Sequence, residues 1–420
     1  MVAMCYHGKG RDPSLREVFV VSTSRPGGAP VVGHAPNKTF ALVDLPLEVV
    51  ILLLGGGSLV LAGGTFLGAS FGAFPFAESG FYGLLLLIFA LQTLTLGKTP
   101  FGSVRRSWGL VVVGVGVAAV GIVAGVIPGA LASWTRGLLV VCFSLGGGIQ
   151  LLTWARDGTQ RAAWSAAGGA LGRLAAVCAT VYTLSVPVGL ALGGIFSPPP
   201  AVTAALLAVL GGAVLLLAAV LEAVYRRYPQ GRRTAEGTQP LSFGHAMLLL
   251  TGVFMVLLGG LLVPVALGAF PFSSSVQLGL LLILFAVQTL AAGETPLGAF
   301  PRTGPVVACG LLFALLGTIS CLVPGLLVAP LTLLVGGLNV AGGLIPLLRC
   351  VPLAFHPLGR RLGGTQRLLN GLSVLFGVSM LLPGLLPGVV VGVVLTANGG
   401  VLLYLLYLLR QLEALAALRT

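Results

Sequence analysis

The chain has 420 residues, of which 57% are hydrophobic and only 8% are charged. A soluble domain carries charge on about a quarter of its residues, so this composition excludes a water-soluble globular protein. The 63 glycines show no Gly-x-y period, which excludes collagen. Glycine-rich apolar runs are instead typical of closely packed membrane helices.

Residues 1–45 form a polar, basic segment that precedes the apolar part of the chain. They lack the basic, apolar and small-residue order of a cleavable signal peptide. The sequence therefore predicts a mostly disordered cytoplasmic tail over 1–45.

Six pairs of apolar runs follow, and a short Gly- or Pro-containing turn joins the two runs of each pair. The pairs span 47–96, 108–155, 173–225, 245–292, 305–348 and 368–409, with turns at 72–76, 128–129, 197–200, 268–272, 324–325 and 383–387. A run of about 20 residues crosses about 30 Å of hydrocarbon as a helix. Lipid offers the backbone no hydrogen-bond partner, and the alternation of barrel strands is absent. The predicted fold is an all-α integral membrane protein with about twelve transmembrane helices.

All Lys and Arg residues except Arg136 fall in the tails and in the loops between these pairs. The positive-inside rule then places both termini and every long loop in the cytoplasm, for a cell inner or plasma membrane. The net charge of +13 is explained by contact with anionic headgroups, so nucleic acid is not predicted as a partner. The lipid bilayer is the predicted partner, and the sequence permits a homo-oligomer.

The two halves of the chain match at a constant offset of 196 residues. The motif at 72–76 recurs at 268–272, Gln92-Thr93-Leu94 recurs as Gln288-Thr289-Leu290, and Pro187 is matched with Pro383, after which the second half is about eight residues shorter. The pattern predicts two parallel six-helix repeats at 46–225 and 245–410, a cytoplasmic linker at 226–244 and a cytoplasmic tail at 411–420.

No ionisable residue is predicted near the middle of a span, although such residues usually mark function in membranes. The four histidines, His7, His34, His245 and His356, are assigned to tails or loops. The six cysteines show no C-x-x-C spacing, and no nucleotide-binding or zinc-protease motif is present. The sequence predicts no catalytic residues, metal or cofactor, and no enzymatic activity.

Uncharged polar residues are the remaining candidates. Gln92 and Gln288 correspond in the repeat, and with Thr93, Thr289 and Thr183 they are candidates to line a polar pathway. The alternative is that the glutamines make interhelical hydrogen bonds. Three asparagines, Asn339, Asn370 and Asn398, lack counterparts at offset 196 and are interpreted as packing residues, and residues 159–172 suggest a short interfacial helix.

Two families share parts of this pattern. Residues 146–156 (GGGIQLLTWAR), after the Pro128-Gly129 turn, and the Phe-Pro-Phe turns resemble the HdeD-type acid-resistance and short-repeat membrane proteins. That resemblance covers about 47–410 and implies a bacterial inner-membrane protein linked to stress, with each half as one unit. It supplies no catalytic residues.

The topology also resembles major facilitator transporters, which have two parallel six-helix halves and a central cytoplasmic loop. The segment after the second helix offers Gly97, Gly102, Arg105 and Arg106 but lacks the Asp of that family's motif. The sequence thus predicts a non-enzymatic membrane protein with a stress-related or accessory role. The alternative is a secondary transporter of a neutral or apolar solute.

Overall fold

A computed structural model of the chain describes residues 45–103, 107–156, 169–228, 241–348 and 357–417. The first three ranges are called the first half below, and the last two the second half. Residues 1–44 of the predicted tail, residues 229–240 of the predicted linker and residues 159–168 of the suggested interfacial helix lie outside these ranges.

Twelve helices make up the described residues, with two very short strand pairs between them. The first half contains α1 (Leu47–Ser70), α2 (Glu78–Leu96), α3 (Trp108–Val126), α4 (Ala132–Arg156), α5 (Gly169–Leu192) and α6 (Pro200–Arg227). The second half contains α7 (Phe243–Ala266), α8 (Ser274–Ala292), α9 (Gly304–Leu322), α10 (Val328–Leu348), α11 (Pro357–Leu381) and α12 (Gly388–Ala417). Strands β1 (Lys98–Thr99) and β2 (Gly102–Ser103) follow α2, and β3 (Glu294–Thr295) and β4 (Gly298–Ala299) follow α8.

Eleven of these helices are long and apolar enough to cross a membrane, which supports a multi-pass, all-α membrane protein. The exception is α11, which the sequence also predicts to span. Its N-terminal part carries Arg360, Arg361 and Arg367, so its apolar stretch is shorter than in the other helices.

The predicted turns are confirmed, because each falls between two helices. Gly97 and Gly293 adopt left-handed conformations (φ 64° and 70°) and end α2 and α8. A tight strand pair then reverses the chain in each case: the hydroxyl of Thr99 donates to the Gly102 carbonyl, and that of Thr295 to the Gly298 carbonyl, both at 2.9 Å. The ends of the helices thus follow directly from Gly and Pro positions.

The helices that pack most closely are not the ones paired in the predicted hairpins, and glycines lie at their contacts. The tightest pairs are α1 with α6, α2 with α3 and α4 with α5 in the first half, and α7 with α12, α8 with α9 and α10 with α11 in the second. A methyl group added at Gly63 of α1 would lie 2.6 Å from the Ala204 carbonyl oxygen of α6, and one at Gly259 of α7 would lie 2.5 Å from the Gly392 carbonyl oxygen of α12. Only glycine permits such approach, which gives backbones van der Waals contact in lipid.

The two halves share one continuous apolar core, in which α2 and α8 are the most buried spans. Reciprocal backbone hydrogen bonds join the two halves, between the start of α2 and the end of α9 and between the start of α8 and the end of α3. The Ala77 amide donates to the Leu322 carbonyl at 2.8 Å, and the Ser273 amide donates to the Val126 carbonyl at 2.9 Å. Leu84 and Leu87 of α2 and Leu280 and Leu284 of α8 are fully buried in this core. The halves therefore do not form two separate bundles.

Two details of the predicted repeat differ from the sequence analysis. Pro187 lies inside α5, whereas Pro383 lies in the turn after α11, so the two prolines are not in matching places. Gly189 of α5 packs on Ser144 and Gly377 of α11 packs on Val340, so in the predicted repeat the eight residues that the second half lacks precede α11. Helix α12 continues through residues 411–417 of the predicted cytoplasmic tail.

Candidate functional site

Gln288 and Thr289 lie on the buried helix α8, near its end. The Gln288 side chain is 8% exposed, and its Nε2 lies 3.5 Å from Oγ1 of Thr251 on α7, at the long limit for a hydrogen bond. The Thr289 hydroxyl donates to the Glu294 carbonyl at 3.1 Å and so anchors the turn after α8. The geometry of Gln288 matches the interhelical bond considered from the sequence.

None of the described hydrogen bonds joins the other three candidates to this pair. Gln92 is half-buried on α2, and the hydroxyl of its neighbour Thr93 donates back to the Phe89 carbonyl at 2.8 Å. Thr183 is exposed on α5, and its hydroxyl donates to the Ala179 carbonyl of the preceding turn. A back-bonded, outward-facing hydroxyl does not line a path inside the protein.

A small cavity with a mostly apolar lining and four polar residues lies between helices of the second half. Its volume is about 30 Å³, and its polar lining consists of Thr251, Asn339, Ser373 and Asn398 from four different helices. Met255, Phe285 and Leu402 supply apolar walls, and Pro296 of the turn after α8 also lines it. Because Gln288 approaches Thr251, the cavity adjoins one of the predicted site residues.

Two of the lining side chains present buried polar atoms that have no hydrogen-bond partner. Asn398 is 3% exposed and Ser373 is fully buried, yet Oδ1 of Asn398 and Oγ of Ser373 are unpaired, as is Nδ2 of nearby Asn370. By contrast, Nδ2 of Asn339 donates to the Val335 carbonyl at 2.8 Å. An unpaired polar group in an apolar interior costs about 1–3 kcal/mol, so such groups usually indicate a missing partner.

Sequence reasoning missed these residues because it treated the three asparagines as isolated. Each lies well inside a long helix, on α10, α11 and α12 respectively. Polar residues at similar depth on helices that follow one another in sequence are a signal for a shared interior site. The comparison of positions 196 residues apart missed this signal, because it tests whether a residue is repeated and not whether residues on different helices lie close together.

Apolar side chains meet inside the first half between α2, α4 and α6. Phe143 of α4 and Phe89 of α2 meet edge to face, with ring centroids 5.0 Å apart. Leu207 and Leu210 of α6 are buried in the same apolar cluster. Phe143 lies in the π-helical segment Val140–Leu145 that interrupts α4. Aromatic and aliphatic side chains thus pack against one another at this place in the first half.

Most charged groups of the described residues lie at the end of the bundle where α2 and α8 end, whereas the ion pair of Glu78 and Arg136 lies at the other end. In the first half, Nζ of Lys98 lies 2.9 Å from Oε1 of Glu48, and the Tyr225 hydroxyl donates to Oε2 of the same carboxylate. These contacts join α1, α6 and the turn after α2. In the second half the turn after α8 carries Glu294, and burial raises the pKa of its carboxyl group above the ordinary range.

His245 is a correction to the sequence analysis. It lies in the first turn of α7 and is buried, with Nε2 3.6 Å from Oε1 of Glu413 on α12. It is therefore neither in a loop nor distant from a carboxylate. Among the described residues, no group of three or more His, Cys, Asp or Glu side chains lies close enough to hold a metal ion.

Comparison of this chain with protein-family models, curated proteins and solved structures finds no match.

Proposed function

We propose that this chain is a non-enzymatic, multi-pass protein of a cell inner or plasma membrane with an accessory or stress-related role. In this proposal it consists of two parallel six-helix repeats, with twelve spans and both termini in the cytoplasm. The main support is the reciprocal pair of backbone hydrogen bonds between the halves, Ala77 to Leu322 and Ser273 to Val126. Each donor and each acceptor is 196 residues from its counterpart, as two units related by an axis along the membrane normal would require.

The filled interface supports an accessory role over transport between the halves. Rocker-type transporters bind their solutes between the two repeats, where a cavity opens. Here aliphatic side chains of α2 and α8 occupy that position. The resemblance to stress-linked membrane proteins, in which each half is one unit, is consistent with this role and remains a proposal.

Reporter fusions test the topology. Fusions near residues 102, 165 and 235 should report the cytoplasm, and fusions near 76, 198 and 272 the outside, as the positive-inside rule requires. An outside signal at 235 would contradict parallel repeats.

A gene deletion tests the proposed role. The deletion should sensitise cells to acid or another envelope stress, and normal survival under a panel of such stresses would count against the role.

A secondary transporter of a neutral or apolar solute is the second candidate. The observation that favours it is the contact between Gln288 and Thr251 beside a polar cavity. Proteoliposomes would be assayed by light scattering for uptake of ammonia, urea and glycerol. Loss of flux in Gln92→Leu and Gln288→Leu proteins that fold normally would support transport. Loss of folded protein instead would assign the glutamines to packing.

A further inference from the structure

We propose that the second half contains a water-binding site near the middle of the membrane, in which one or two water molecules bridge Asn398, Ser373 and Thr251. The site does not depend on the accessory role or on transport. Its basis is the cavity, the chemistry of its lining residues and the unpaired buried atoms that two of these residues carry.

The size of the cavity matches this ligand. A cavity must offer about 10–15 Å³ to hold one water molecule, and it must supply two to four polar partners. The observed volume is about 30 Å³, and four polar side chains line it. Purely apolar cavities stay dry, but this lining is not purely apolar.

The lining offers both donors and acceptors and no charge. Oδ1 of Asn398 is an acceptor, whereas the hydroxyl of Ser373 can both donate and accept. The Thr251 hydroxyl already faces Nε2 of Gln288 and retains a proton to donate. Water can satisfy these groups together because it donates twice and accepts twice. The lining described in the structure includes no carboxylate or amine that would favour an ion.

The lining extends to the turn after α8, which indicates a route for the water. Asn398 and Asn339 lie well inside their helices, whereas Pro296 lies in the β3–β4 turn beyond the end of α8. A molecule reaching the site would pass Pro296 from the side that we assign to the cytoplasm. Any polar route across this protein would then run through the second half and not between the halves.

The asparagine content allows a direct test. The chain contains only Asn37, Asn339, Asn370 and Asn398, so labelling with [15N]asparagine produces four side-chain amide signals. Solid-state NMR of the full chain in liposomes would measure polarisation transfer from water to these amides. The Asn398 and Asn339 side-chain signals should rise at short mixing times, before the backbone amides of the same residues. Equal slow build-up of both kinds of signal would overturn the proposal.

Substitution gives a second, independent measurement. If water binds the site, Asn398→Leu displaces it and leaves Ser373 unpaired, so the melting temperature falls and water transfer to Asn339 is lost. If the cavity is dry, the same change removes an unpaired polar atom and raises the melting temperature. Ser373→Ala removes only one hydroxyl group, so it should reduce water transfer to the Asn398 side chain while leaving the fold unchanged. Thr180→Val, which changes an exposed, back-bonded hydroxyl on α5, is the control and should leave both readings unchanged.

Discussion

The two halves use the same type of helix seam but fill their interiors differently. In the first half, the ring of Phe143 packs on Phe89 and Leu210 is buried beside α1. In the proposed repeat, Asn339 is the counterpart of Phe143, Phe285 of Phe89, and Asn398 of Leu210. The second half therefore has amides and a cavity where the first half has rings and aliphatic chains. We expect one framework to accommodate both kinds of interior, because similar glycine seams pack the helices of both halves.

The largest expected effect comes from making the first half polar. Leu210→Asn removes a fully buried aliphatic side chain and introduces an amide where the lining is apolar. The lost burial and the unpaired amide together should lower the free energy of unfolding by about 3 kcal/mol or more. Reversible unfolding in mixed micelles titrated with SDS would measure the change.

Leu210→Met is the matched control for this change. It conserves volume and polarity, so its cost should stay below about 1.5 kcal/mol. If Leu210→Asn proved as stable as Leu210→Met, the first half would also have room and partners for a polar group. The contrast between the two interiors would then be wrong.

The glycine seams should respond alike in both halves. Gly63→Ala and Gly259→Ala each force a methyl group against a carbonyl oxygen across the seam. Such overpacking should cost about 1–3 kcal/mol in each half, offset in part by the better helix propensity of alanine. The same SDS titration would compare the two variants.

The neighbouring glycines provide controls for the seams. Nothing lies within 4 Å of a methyl group added at Gly64 or at Gly260. Gly64→Ala and Gly260→Ala should therefore be neutral or slightly stabilising. A seam that tolerated alanine in one half only would show that the halves differ in their helix packing as well as in their interiors.

The contrast between halves also explains what the sequence could predict. Turns and helix ends are local: Gly97 and Gly293 each need a left-handed conformation, and Pro-Gly pairs stop helices, so the order of elements could be read directly. The cavity is not local. It depends on which faces of α7, α10, α11 and α12 meet. From one sequence we can predict how far along their helices Asn339 and Asn398 lie, but not which neighbouring helix their side chains face.

Two other predictions, for His245 and for Pro187, were wrong because they too depend on contacts between helices. His245 was assigned to a loop because it stands at the very start of the apolar run 245–292, but Ser242 accepts a hydrogen bond from its amide and caps α7, which begins at Phe243. Pro187 was matched with Pro383 because the two stand 196 residues apart, but Pro187 lies inside a helix, where neighbouring helices can compensate for the lost hydrogen bond. Neither position can be settled without knowing the contacts of its helix.

The smallest expected effect concerns the turns at the end of α2 and of α8, where the halves again differ. Lys98 in the first turn forms an ion pair with Glu48, whereas Glu294 in the second is a carboxyl group whose pKa burial raises above its ordinary value of 4.5. Between the ordinary and the raised pKa, the folded state binds more protons than the unfolded state. Stability therefore falls as the pH rises through this window, and below pH 4.5 the penalty disappears because both states are protonated.

Glu294→Gln should remove this pH dependence, because glutamine has the same shape and does not ionise. The variant should match the wild type at low pH and become more stable than it as the pH approaches neutrality, in SDS titrations repeated across that range. Parallel curves for the two proteins would mean that water or a cation already satisfies the ionised carboxylate. In that case the turn after α8 would be as well paired as the turn after α2, and the difference between the halves would be confined to their interiors.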